Sequence, residues 1–131
     1  IAASLGLAGL NEIGNIIKKR ISLFKEYEKN LNHRFITIVG KSKTSSYENC
    51  AWLITIIVEK RKKQLMTKLR RNRIESAQVH YRNDRYSIFG KRLKNMQNMD
   101  KLENKYLVLP LYPSMKISDV KYICKIINSG W

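Results

Sequence analysis

Apolar residues recur at three- and four-residue steps through the first quarter of the chain: Leu10, Ile13, Ile17, Ile21, Phe24, Tyr27 and Leu31. A stripe with that spacing predicts one long amphipathic helix from Ala2 to about Asn32. Lys18, Lys19, Arg20, Lys25 and Lys29 fall mostly off the stripe. Gly6, Gly9 and Gly14 weaken the first half as an isolated helix. They make sense if another helix or backbone packs closely there, which would mean packing against something outside this chain. Leu5, Leu7 and Leu10 alternate with small residues, a surface suited to a close-packed partner and expected to be uncovered, or covered by another copy, in this chain alone.

Beyond the helix the period changes. Phe35 to Val39 is a short β-branched run and predicts a strand, and the polar stretch Gly40 to Asn49 predicts a loop. Ala51 to Val58, AWLITIIV, is the strongest strand signal, apolar on both alternating faces as for a strand buried on both sides. Arg61 to Asn72 predicts a helix with Leu65, Met66 and Leu69 inward, and Glu75 to Tyr81 another strand. Residues 82 to 104 are polar and irregular, with an apolar island at Tyr86 to Phe89. Tyr106 to Leu109 is strand-like and stopped by Pro110. Ser118 then caps a last helix, with Val120, Ile123, Cys124 and Ile127 on one face and Gly130 just past its end. With few parallel crossovers available, the expected fold is α+β: the long helix along a small, mainly antiparallel sheet with helices on one face, in which 51–58 pairs with 75–81.

A length of 131 residues suits one core. The chain opens at Ile1, with a helix already in progress and no initiator Met, which favours a fragment of a longer protein. Lys and Arg number 26 against 10 Asp and Glu, a formal charge of +16, so adhesion to polyanions is expected. The cations are spread along the chain, which points to non-specific contact with nucleic acid; a stand-alone basic nucleic-acid-binding module is the alternative reading. Cys50 and Cys124 each sit in an apolar run without metal spacing, and read as buried thiols in a reducing, cytoplasmic compartment. The longest apolar run is too short to span a bilayer, and no membrane partner is expected.

Gly40-Lys41-Ser42 lacks the preceding glycine of a phosphate loop, Phe35 standing there, and a strand follows where a helix is needed. The densest polar cluster is His80-Tyr81-Arg82-Asn83-Asp84-Arg85-Tyr86, where a strand gives way to a loop. Its arginines can pair with phosphates, its tyrosines can stack on a flat ring, and His80 can shuttle a proton near neutral pH. The competing reading is a solvated loop with an Asp84–Arg ion pair. His33 reads as a cap or surface residue, and the scattered His and Cys make no metal site.

Three stretches together resemble the C-terminal part of the DegT/DnrJ/StrS-type aminotransferases, which act on nucleotide-linked sugars. Residues 2–10, AASLGLAGL, are similar to the family's "AAxGLxQL" helix, with Gly9 in place of Gln. Residues 69–89, LRRNRIESAQVHYRNDRYSIF, are similar to its "L…GI-x-(T/S)-x-x-H-Y" segment and the loop after it, with Arg73 for the common Gly and Arg82 for a common Pro. Residues 109–115, LPLYPSM, with Ser118-Asp119-Val120, are similar to its closing "LPL(H/Y)P-x-M-x-x-x-(E/D)V". The resemblance implies the small C-terminal domain of a fold-type-I aminotransferase: residues 1–32 as a helix leading to a large cofactor domain, and 33–131 as the small domain. It also implies pyridoxal phosphate, glutamate as amino donor, a keto-sugar nucleotide as acceptor and a homodimer. His80, Tyr81, Arg82, Asn83, Arg85 and Tyr86 are then the expected substrate-binding residues. No lysine here lies in a sequence like the family's catalytic Lys motif, so no catalytic residue and no bound cofactor are expected in this chain alone.

Overall fold

The computed structural model describes residues 1–41 and 48–131. Its elements run α1 (Ala2–Leu10), α2 (Ile13–Asn30), β1 (Ile36–Ile38), β2 (Ile54–Val58), α3 (Lys62–Arg71), α4 (Gln97–Leu102), β3 (Tyr106–Leu109) and α5 (Ile117–Asn128), with two single 3₁₀ turns at Asn83–Arg85 and Ser87–Phe89. The three strands form one antiparallel sheet in the order β1-β2-β3. The α+β class expected from the sequence is the one observed.

The register explains the core. Ile54 lies opposite Leu109 and Ile56 opposite Leu107, so their side chains share one sheet face. With Val58 they meet Leu23, Phe24 and Tyr27 of α2, Leu65 and Leu69 of α3, and Val120, Ile123, Cys124 and Ile127 of α5 in a single buried cluster. Burial of this order contributes roughly 1.5–3 kcal/mol for each large side chain. Thr55 and Ile57, on the other face of β2, are only half-buried, so the strand is not enclosed on both sides as its composition suggested. The Tyr27 hydroxyl donates to the Pro110 carbonyl at 2.9 Å and pins α2 to the end of β3. Burial pushes that phenol well above its usual range. Burial likewise raises the Cys124 thiol to about 12.

Several expectations are corrected. The long N-terminal helix is two helices. Asn11 and Glu12 donate back three residues, to Ala8 and Gly9, which tightens the turn and breaks the run before Ile13. Beyond their own helix and chain neighbours, nothing among the described residues lies within 4 Å of where a Cβ on Gly6, Gly9 or Gly14 would be, so the described part of this chain does not supply the close partner they suit. α1 buries no residue, and Leu5, Leu7 and Leu10 are 70%, 67% and 61% exposed, the uncovered surface expected of them. The second half of α2 lies along the sheet as expected and supplies Leu23, Phe24 and Tyr27 to the core.

Residues 75–81 form no strand and do not pair with 51–58. They run along the outer edge of β3 and touch it through one bridge, Ala77 to Val108. β2 instead takes β1 and β3 as neighbours. α5 is capped by Asp119, whose carboxylate accepts the Lys116 N–H at 2.8 Å, and Ser118 lies inside the first turn. Gly130, at φ +77°, closes that helix as expected. Cys124 is buried but Cys50 is exposed, because the chain reaches Cys50 before β2 begins. Six residues of the loop expected over Gly40 to Asn49, numbers 42–47, lie outside the described residues, and Ser42 of the Gly-Lys-Ser triplet is one of them. No helix among the described residues is long and apolar enough to cross a membrane.

Candidate functional site

The edge segment that ends at Val79 delivers His80 and Tyr81 to the surface, and the chain then folds back on itself through the two 3₁₀ turns. Arg82 drives this folding. It is the one charged or polar residue buried among those described, 4% exposed. Its Nε and Nη2 donate to the two carboxylate oxygens of Asp84 at 2.8 and 2.5 Å, a bidentate fork, while Nη1 donates to Asp100. Asp84 also accepts the Leu93 N–H at 2.9 Å. Arg92 extends the network, pairing with Glu103 at 2.5 Å and with Asp100 at 3.3 Å. Below it, Gln78 donates to the Glu103 carbonyl at 2.6 Å and accepts from Lys62 at 2.7 Å. Residues 82–103 are thus an arm clamped by ion pairs, among them the Asp84–Arg pair of the competing reading of the loop, while the longer-range pairs to Asp100 and Glu103 were not foreseen.

The electrostatics follow the contacts. The Arg82 guanidinium, with help from the Leu93 N–H, holds the Asp84 carboxyl down to about 2. Reciprocally, Asp84 and Asp100 hold Arg82 even further into its charged form. The outward residues differ. Arg85 lies 4.3 Å over the Tyr81 ring and 5.6 Å from the Tyr86 ring, and has no hydrogen-bond acceptor among the described residues. Stacking fixes the guanidinium plane while its N–H edges stay available. The His80 ring lies 6.1 Å from Trp52, which is exposed just ahead of β2. Arg20 of α2 holds that corner by donating to the Ala51 and Trp52 carbonyls, both at 3.0 Å.

Of the six expected site residues, the structure gathers His80, Tyr81, Arg85 and Tyr86 on the exposed side of the arm and turns Arg82 inward. Asn83, exposed between the paired Arg82 and Asp84, opens the first 3₁₀ turn. Sequence reasoning missed Trp52 and Arg20. An aromatic in front of a strand is a weak signal, and Trp52 read as part of the strand itself. Beside this cluster lies a cavity of about 620 Å³ bounded by the edge segment, the end of β3 and α5. Leu53 and Val79, chain neighbours of Trp52 and His80, line it, and its charged groups are Arg73, Glu75 and Asp119.

No lysine among the described residues lines that cavity. Lys62, whose amine burial and Lys63 push down, is tied to Gln78 and the Tyr106 carbonyl. Covalent attachment of pyridoxal phosphate needs an uncommitted lysine in a pocket beside an acidic partner for the ring nitrogen. The described residues do not fit that group.

A model of the DegT/DnrJ/EryC1/StrS aminotransferase family matches residues 1–128. The chain belongs to this family. Its fold also matches solved structures. The sugar aminotransferase CalS13 from Micromonospora echinospora superimposes with a TM-score of 0.84 at 19% identity, over 96% of this chain and 34% of that one. AtS13 from Actinomadura melliaura gives 0.88 at 19% identity, over 98% of this family member and 34% of AtS13. A GDP-4-keto-6-deoxy-D-mannose-3-dehydratase from E. coli, solved with bound hydrated PLP, gives 0.74 at 15% identity, over 92% and 33%. The chain therefore spans about a third of the length of these relatives. No curated protein sequence matches it.

Proposed function

We propose that residues 1–131 act as the small, substrate-facing domain of a pyridoxal-phosphate-dependent aminotransferase that aminates a keto-sugar carried on a nucleotide. Support comes from membership of the family and from relatives whose names carry a sugar substrate, one of them a nucleotide-linked keto-sugar and bound PLP. On this reading the cofactor and its lysine belong to the part of the relatives that this chain does not span. Glutamate donates the amino group, the working unit is a cytoplasmic homodimer, and any contact with nucleic acid is non-specific and outside the reaction.

The observation that carries the assignment is Arg85, held over the Tyr81 ring with no acceptor for its N–H groups among the described residues, near the start of an arm that Arg82 anchors. Arg85 meets phosphate or sugar oxygens, Tyr81 and Tyr86 fix its plane, and His80 lines the pocket. Arg82 is a positioning residue in this scheme, because its N–H groups are committed to Asp84 and Asp100. Asn83 sets the turn that brings Arg85 outward.

The test uses a chimera in which residues 1–131 replace the matching third of CalS13. Arg85→Ala should raise KM for the sugar nucleotide roughly ten- to hundredfold, the effect of losing one charge-assisted contact. The half-reaction with glutamate should keep its rate. An unchanged KM would remove the arm from the substrate site.

A further inference from the structure

Outside the arm, α3 and its flanks carry a second run of charge, whose exposed face the aminotransferase reading does not use. From Lys60 to Ile74 the chain has eight cations, Lys60, Arg61, Lys62, Lys63, Lys68, Arg70, Arg71 and Arg73, and no acid. Leu65 and Leu69 turn the apolar side of the helix into the core, which leaves Lys63, Gln64, Thr67, Arg70 and Arg71 exposed. Lys63, Gln64, Thr67, Lys68 and Arg71 follow the i, i+1, i+4, i+5, i+8 rule of one helix face, and with Trp131 they line a groove of about 490 Å³.

Trp131 is held in place. Its indole N–H donates to the Lys60 carbonyl at 3.2 Å, and one side of the ring packs on His33 at 4.4 Å between centroids. Lys68 is fixed at the same end by bonds to Ser129 and the Gly130 carbonyl. The field here is positive: after burial, Arg34, Lys68 and Arg61 all push the His33 imidazole toward its neutral form.

We propose that this groove and the exposed face of α3 beside it bind single-stranded nucleic acid, with the phosphodiester backbone along Lys63 and Arg71 of the groove and Arg70 next to it, and a base against Trp131. A row of cations beside an aromatic face is what sequence-tolerant single-strand binding requires. A membrane surface fits less well, because none of the exposed large apolar side chains among the described residues lies on α3 to enter a bilayer. The inference stands independently of the aminotransferase reading.

The experiment is fluorescence anisotropy of a labelled 20-nucleotide oligo-dT with the 131-residue chain over a salt series. The triple variant Lys63→Ala, Arg70→Ala, Arg71→Ala should weaken binding at least tenfold and reduce the salt slope by roughly two, at about 0.7 per single-strand phosphate contact. These side chains are exposed, so circular dichroism should be unchanged. Trp131→Ala should weaken oligo-dT about tenfold and leave binding of inorganic polyphosphate, which has no bases, unaltered; Trp131→Phe should restore most of the loss. The control removes the same charge elsewhere, with Lys18, Lys29 and Lys101 each changed to Ala. Equal losses in the two triple variants would overturn the proposal, since the net charge and not this face would then do the binding. Phosphatidylserine vesicles that bind where oligo-dT does not would overturn it in favour of a membrane.

Discussion

Arg82 and Arg85 stand three residues apart with identical side chains and opposite fates. Arg82 is desolvated between two carboxylates, and Arg85 is stacked on tyrosine at the surface. Removing one partner of a buried ion pair leaves the other uncompensated, so Arg82→Leu should release the arm. Amide hydrogen exchange over residues 84–102 should then speed up while the α2 and α5 core stays protected. The pH dependence has a definite sign. Asp84 has its folded value pulled down to about 2 from an ordinary 3.8. Its contribution to folding is therefore complete above 3.8 and is lost as pH falls through about 2. The arm should loosen within that window and not at higher pH. Carboxyl-carbon NMR of Asp84 should show the low midpoint in the native chain and a return toward 3.8 in Arg82→Leu. A native midpoint already near 3.8 would mean that the fork does not form.

At the level of elements, α3 ends on a residue that carries unfavourable backbone geometry. Arg73 has φ +59°, its N–H bonds Arg70, and the Ile74 N–H reaches back to Leu69, a helix stop that favours glycine. The resembled family has glycine at this position, and the geometry supplies the reason. Arg73→Gly should stabilise the chain by about 0.5–1 kcal/mol, read as a higher urea midpoint at unchanged slope; a lower midpoint would show that the Arg73 side chain stabilises more than the backbone strain costs. Much of the architecture was legible in this way. The inward faces of α3 and α5 and the 54–58 strand follow from periodicity alone. The 75–81 segment misled because a run can be extended along a sheet edge without closing a ladder, and here only Ala77 bridges to Val108. The break at Asn11–Glu12 was hidden because the apolar stripe continues across it, and a stripe records the face of a helix but not its continuity. Arg82 could be read as ligand-binding because the loop holds two arginines beside Asp84 and the sequence does not say which one pairs with it; the second partner, Asp100, is eighteen residues away and only the fold brings it within reach.

For the whole molecule, the proposed role rests on the uncovered leucines of α1, the clamped arm and a cavity that no described lysine lines: on that proposal the domain presents groups to a substrate and the cofactor chemistry comes from residues outside it. The family match across residues 1–128 and the one-third coverage of the relatives agree with it. The most direct test is to incubate the 131-residue chain with pyridoxal phosphate, trap covalent adducts with borohydride and map them by peptide mass spectrometry. The account predicts low, scattered labelling of exposed lysines that free lysine in the buffer suppresses. Stoichiometric labelling of a single lysine that resists such competition would place the cofactor site within this chain and contradict the account.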